Sequence, residues 1–388
     1  MPETPTALPD YSGGSLVNLM ASLIRGLGGD SPYPGTPTLS EERVAAARTV
    51  TLLVIDGLGW EALAAHPEST LARLRPTRLT SVFPTTTTSA ITSLTTGLPP
   101  AAHGLPAWYT WLRELDRVAI PLIGRARKGS DYDGEPLPDL AALYPAPPLT
   151  AGLSHGIASR HLQPNWIVDS AYSHHHGGPA ERHGFDGLEE LIGQTVAGAR
   201  LPGRRYQFVY WAEYDHLCHE HGTRGAATEA HFHAIDAAVG RLCAELPDDA
   251  LLLVTADHGL VDVAPGGCHQ LMDHPRLAAT LSRPLCGEPR APFLYLKPGR
   301  EADADACLTE TFAELCTVHT REQVLDEGWL GPGPLHPELA SRIGDRILSM
   351  APGQVLVGDG DRPGHCQRGV HGGLDPAELG VPLAVVGP

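Results

Sequence analysis

The chain lacks any apolar run approaching the length of a membrane span, and its first residues, MPETPTALPDYSGG, lack a basic stretch followed by an apolar one. A spanning helix needs ~20 apolar residues, and a secretory signal needs that basic-then-apolar order. No membrane partner is therefore expected, and the cytoplasm is the expected location. Basic runs are missing too: nothing longer than Arg125 to Lys128 stands against a formal charge of −17. That balance argues against bulk nucleic acid as a partner. It leaves room for a small phosphate ester at a site where dications reverse the local sign. The seven cysteines, at 218, 243, 268, 286, 307, 316 and 366, are odd in number and form no CxxC pair. A small disulfide-stapled fold is excluded, and reduced thiols are expected. No fixed-period repeat occurs, which removes solenoids and propellers.

What the chain has is 388 residues, 42% of them hydrophobic, enough for one large domain with an inserted cap. It is organised around SVFPTTTTSAITSLTTG, residues 81 to 97. Val82 and Phe83 favour extended chain, Pro84 breaks it, and Ala90, Ile91 and Leu94 fall on one helical face. A hydroxyl at such a strand-to-helix turn, with Thr87 the favoured one, sits beside backbone N–H groups that suit an anion. Threonine alone is a poor nucleophile; bound to a divalent cation it can become an alkoxide.

The chain supplies ligands for such a cation in four further segments. These are Asp56 in TLLVIDGLG, Asp215 and His219 in YDHLCHEHG, Asp257 and His258 in LLLVTADHG, and His371 in GVHGG. Most share one pattern: a buried apolar strand, a polar residue at its carboxyl end, and glycine just beyond. That pattern gathers side chains at the carboxyl edge of an open α/β sheet. Two dications ~4 Å apart can hold both the attacking and leaving oxygens of a displacement at phosphorus. Six carboxylate or imidazole ligands plus a threonine oxygen would furnish that arrangement. The mixed oxygen and nitrogen set favours Zn²⁺, with Mn²⁺, Fe or Co as alternatives.

Periodicity places helices at 15–27, 61–74, 226–246, 303–315 and 337–350. It places strands at 49–55, 78–83, 166–168, 207–212, 251–255, 293–296, 354–357 and 383–386. Over roughly residues 105–205 the alternation loosens and prolines cluster, which marks a partial cap facing substrate, with some core strands within it. The triple histidine His174, His175 and His176 lies there. Adjacent histidines cannot all face one ion, so an exposed loop or a supporting role is expected.

Taken together, these segments resemble the nucleotide pyrophosphatase/phosphodiesterase branch of the alkaline phosphatase superfamily. Pro84, Thr87, Thr96 and Gly97 match the family's nucleophile motif; Asp215, His219 and Gly222 match its aspartate-histidine-glycine spacing; ADHG at 256–259 and VHGG at 370–373 complete the set. The resemblance implies an alkaline phosphatase-like α/β fold, a central mostly parallel sheet between helices with a smaller inserted cap, in a single catalytic domain over 1–388. It implies one zinc ion on Asp56, Thr87, Asp257 and His258, and another on Asp215, His219 and His371. The implied reaction is attack of Thr87 on phosphorus, through a phosphothreonine intermediate, on a small phosphate ester such as a nucleotide.

Two positions depart from the family pattern. Thr88 stands where a base-stacking phenylalanine is common, and Trp108 where an asparagine binds a phosphoryl oxygen; Tyr210 matches another stacking aromatic. A phosphomonoesterase or phosphonate hydrolase is therefore an alternative on the same site, and a metal-stabilised binding protein without catalysis is a second. Ordinary readings accompany each residue: Asp56 as a strand-end turn cap, the threonines as helix caps. His216 and His221 read as solvent or supporting residues, Cys218 as no ligand, His231 and His233 as surface, and His365 and Cys366 as bystanders near His371.

Overall fold

Seven strands come together in one sheet, the apolar ones at its centre and more polar ones toward its edges. The computed structural model describes residues 7–128, 133–138, 140–154, 156–358 and 366–388. From one edge to the other the strands run Thr77–Thr80, Gly380–Val386, Ala250–Thr255, Thr49–Ile55, Arg205–Trp211, Ala158–Pro164 and Glu181–Phe185. Gly380–Val386 is antiparallel to both neighbours, so all the other strands point one way. The central strands are buried along their whole length. Burial on both faces is what near-continuous Val, Leu and Ile require. Leu16–Gly26, Gly187–Arg200 and Ala226–Glu245 are among the helices that cover it.

A second, antiparallel sheet orders Cys286–Glu288, Ala291–Leu294, Arg346–Met350 and Cys316–Thr320. Phe293, Trp329, Leu339 and Ile347 give it a separate core, which Phe83 of the threonine turn joins edge-on to Trp329. A bridge from Tyr109 to Gly287 connects it to a three-stranded sheet of Thr110–Leu112, Arg117–Ile120 and Arg125–Ala126. The segment near 105–205 thus divides between that small sheet and two strands of the central one.

Several local expectations change. The helix expected at 61–74 is two pieces, Trp60–Ala64 and Thr70–Arg73, because Pro67 disfavours helical backbone at His66 and offers no N–H. The one expected at 337–350 stops after Leu339–Arg342; Gly344 turns the chain at φ 72° and Arg346–Met350 is a strand. Residues 166–168 form a turn with Trp166 exposed. The triple histidine is helical, within Ala171–Gly177 capped by the Ser170 hydroxyl. In that helix His176 is buried and His175 meets the Tyr144 carbonyl at 2.7 Å. Cys268 and Cys366 form a disulfide, so the expectation of seven reduced thiols does not hold. A disulfide persists in oxidising surroundings, and the cytoplasmic expectation loses that support. Among the described residues, no helix is long and apolar enough to cross a membrane.

Candidate active site

The carboxyl ends of the parallel strands deliver the polar residues to one place. Asp56 follows Ile55, Asp257 and His258 follow Thr255 by two and three residues, and Asp215 and His219 lie on the helix Glu213–His221 that succeeds Trp211. Thr80 leads through Pro84 to Thr87, the first residue of the buried helix Thr87–Thr96. His371 arrives from the other direction, ahead of the antiparallel strand. Gly57 permits this crowding. At φ 74° it adopts a left-handed backbone, and a Cβ there would lie 2.7 Å from Leu260 and 3.0 Å from the Asp215 side chain. Its N–H instead donates to Asp257 Oδ1 at 3.1 Å.

All seven expected ligands converge. Thr87 Oγ1 lies 3.4 Å from Asp56 Oδ2 and 3.3 Å from His258 Nε2. His258 Nε2 is 3.4 Å from both Asp56 Oδ1 and Asp257 Oδ2. On the other side His219 Nε2 is 3.0 Å from Asp215 Oδ2, and His371 Nε2 is 3.9 Å from Asp215 Oδ1. Each imidazole is anchored through Nδ1 on a backbone carbonyl: His219 on Gly369 at 2.7 Å, His258 on Gly259 at 3.1 Å, His371 on Thr85 at 3.0 Å. A carbonyl only accepts, so Nδ1 carries a proton in each ring and all three Nε2 atoms face inward. This is the tautomer a metal-binding histidine needs, fixed by its outer partner.

Electrostatics give the same reading. Burial, then the neighbouring Asp257 and Asp215, pushes the Asp56 carboxyl well above the usual carboxylate range. Burial raises Asp257 as well. Burial works most strongly to raise Asp215, but the imidazoles of His219, His371 and His258 together outweigh it and hold the carboxyl low. Burial, then His258, pushes His371 well below the usual imidazole range. Asp56 Oδ1, Asp215 Oδ1 and Asp257 Oδ2 are buried without a hydrogen-bond partner. Three crowded acids with unpartnered oxygens and three inward nitrogens form a cage that divalent cations would satisfy, in two overlapping groups: Asp56, Asp215 and His258; Asp215, His219 and His371. The residues therefore fit a metal pair.

The remaining expected residues are placed as follows. Tyr210 is buried, and its hydroxyl donates to Asp56 Oδ2. Thr88 is fully buried in the helix. Trp108 is half-buried and its N–H donates to Glu288 Oε1 at 2.6 Å. His216 and His233 are exposed, and Cys218 is buried away from any ligand role. His231 is half-buried and accepts from the Trp211 indole at 2.9 Å. His365 lies outside the described residues.

Two residues escaped the sequence reading. Glu288 is buried beside the site, against Gly372, and burial pushes its carboxyl up to about 7 despite the hydrogen bond from the Trp108 backbone N–H. Its only sequence signal is an acid leading into the apolar run of residues 291–296. His103 is fully buried. Leu105 N–H donates to its Nδ1 at 3.1 Å, so Nε2 carries the proton toward the Ser89 carbonyl at 3.2 Å. Burial drives this ring down to about 3.

Comparisons with known proteins bear on the fold and the family. No curated protein matches the chain. Among solved structures, human ectonucleotide pyrophosphatase / phosphodiesterase 5 superposes with a TM-score of 0.66 at 20% identity, over 87% of this chain and 88% of that one. An inactive variant of the murine enzyme in complex with AMP gives 0.65 at 18%, over 87% and 88%. Phosphonoacetate hydrolase from Sinorhizobium meliloti 1021, in complex with phosphonoformate, gives 0.60 at 17%, over 88% and 90%. At these identities the likeness establishes an alkaline phosphatase-like α/β fold. The family model for type I phosphodiesterase / nucleotide pyrophosphatase matches residues 50–374, which takes in all seven expected ligands. With that match over most of its length, the chain belongs to the type I phosphodiesterase / nucleotide pyrophosphatase family, metal-dependent hydrolases of phosphoric esters.

Proposed function

We propose that the chain cleaves phosphodiesters, nucleotide pyrophosphates among them, with Thr87 as nucleophile and a pair of zinc ions as cofactor. The observation that carries this reading is the convergence on Thr87, whose hydroxyl meets Asp56 at 3.4 Å and His258 at 3.3 Å at the start of a buried helix. One ion would be held by Asp56, Thr87, Asp257 and His258, the other by Asp215, His219 and His371. When bound, such ions supply positive charge that lowers the hydroxyl's pKa and neutralises phosphoryl oxygens.

The chain's own residues do the rest. Thr87 Oγ1 bonds to phosphorus as the bond to the leaving oxygen breaks, giving a phosphothreonine; water then cleaves that ester and restores the hydroxyl. Backbone N–H groups of the first helical turn are offered to the phosphoryl oxygens. Tyr210 holds the Asp56 carboxylate in place. The Glu288 carboxyl beside Thr86 adds acidic character next to the nucleophile. Once ionised, above about pH 7, it would repel a dianionic monoester or phosphonate more than a monoanionic diester, which favours the diester reading. Binding of AMP by one structural relative and of phosphonoformate by another supports a small phosphate- or phosphonate-bearing substrate.

Thr87→Ala tests the assignment. Turnover of bis-p-nitrophenyl phosphate should fall at least ~10³-fold, with metal content and far-ultraviolet circular dichroism retained. Undiminished turnover would remove Thr87 from the mechanism. The p-nitrophenyl monoester, assayed beside the diester, should be the slower substrate.

A further inference from the structure

A second cluster of metal-ligating side chains lies outside the catalytic centre and shares no residue with it. His66 follows the short helix Trp60–Ala64, and Glu229 and His233 sit on the long helix Ala226–Glu245. Spaced four apart, Glu229 and His233 occupy one face of that helix. One ligand atom from each of the three residues lies within 4.8 Å of the others. We propose that His66, Glu229 and His233 form a separate binding site for a borderline divalent transition-metal cation, Zn²⁺ by preference.

The His66 ring is built as a ligand. Its Nδ1 lies 2.8 Å from the Ala62 carbonyl, which can only accept, so that nitrogen carries a proton. The ring is held flat against Phe232, 3.8 Å between centroids, and meets His233 edge-on at 5.6 Å. Its Nε2 thus has a fixed direction, and Glu229 Oε2 stands 2.7 Å away along it. A neutral ring would set an imidazole lone pair against a carboxylate lone pair, and something positive must lie between them. Either Nε2 is protonated, or a cation joins the two and takes His233 as its third ligand. Two imidazoles and one carboxylate, with the His233 side open to water, are the donor set of a three-ligand zinc site. The nitrogen-rich set also disfavours Mg²⁺ and Ca²⁺. Bound there, the cation would staple the segment after Trp60–Ala64 to the long helix.

Zinc content decides between the two cases. Wild type, His233→Ala and His66→Ala are each loaded with ZnCl₂, dialysed against metal-free buffer and analysed by plasma mass spectrometry. The proposal expects each variant to carry one zinc fewer per chain than wild type, with diester turnover unchanged. It also expects a zinc-edge anomalous peak among the three side chains in crystals of the wild type. His233 is exposed, so its variant keeps the comparison meaningful should His66→Ala fail to fold. Equal zinc content in wild type and His233→Ala would leave the contact an imidazolium–carboxylate ion pair and overturn the site. So would a peak that appears only at millimolar zinc. Because the readout is a difference of one ion, it stands apart from the number held at the catalytic centre.

Discussion

Burial pushes the Glu288 carboxyl up to about 7, and the direction of the resulting stability change follows from its surroundings. Its folded value of about 7 lies above the ordinary 4.5, so between those limits the folded chain keeps a proton that the unfolded chain has released. Stability therefore falls as pH rises through that window, by at most ~3 kcal/mol for this group. Glu288→Gln keeps the acceptor for Trp108 N–H and removes the charge. On chelated protein, urea unfolding should find the variant and wild type alike at pH 5, with the variant more stable at pH 8. Matching profiles at both pH values would show that Glu288 does not ionise against its surroundings. Of the seven expected ligands, Asp56, His258 and His371 were the most legible, because each directly precedes a glycine near the end of an apolar segment, a pattern the chain carries locally. Glu288 and His103 were not. What makes them matter is the tertiary approach of Gly372, Trp108 and Ser89, which no spacing in the sequence encodes.

The helix Thr87–Thr96 shows how far amphipathic pattern can mislead about one element. Ala90, Ile91 and Leu94 correctly mark an inward face, yet the whole helix is buried, hydroxyls included. Three of the threonines tolerate burial because they bond back to their own helix: Thr92 to the Thr88 carbonyl at 2.6 Å, Thr95 to Ile91 at 2.8 Å, Thr96 to Thr92 at 2.6 Å. Such bonds contribute little net stability, since each carbonyl already has a helical partner. Thr92 differs, because its hydroxyl also meets the buried Tyr172 hydroxyl at 2.7 Å. Thr96→Val should then cost under ~1 kcal/mol, while Thr92→Val, which takes a partner from Tyr172, should cost ~1–3 kcal/mol. Chemical denaturation of the two variants gives the order, and equal losses would remove Tyr172 from the explanation. The first helix, Leu16–Gly26, lies where the sequence placed it, yet it too is buried at every residue but Arg25, Asn18 and Ser22 included, which an amphipathic pattern does not convey.

At the scale of the molecule, the site depends on two sheets meeting, and one buried ion pair fastens them. Arg290 lies between the strands Cys286–Glu288 and Ala291–Leu294 of the second sheet and is 1% exposed; Glu378, just before the last central strand, is wholly buried. The guanidinium donates to Glu378 Oε2 at 2.8 Å and to the Gln354 carbonyl at 2.9 Å. The carboxylate also accepts from Gly373 N–H at 2.8 Å, two residues past His371. The central strands could be read from their apolar runs. The second sheet could not, because Ala291–Leu294 pairs with Arg346–Met350 across some fifty residues of chain, a register that only the folded core selects. Arg290→Met would strand a buried carboxylate and should cost ~3–5 kcal/mol. Arg290→Met with Glu378→Met leaves no charge behind and should regain at least half of that loss. It still frees Gly373, so zinc retained at the Asp215, His219 and His371 end should be lower than wild type in the double variant, although its urea midpoint recovers. A double variant no more stable than the single one would mean that packing around Arg290, rather than the charge on Glu378, holds the two sheets together.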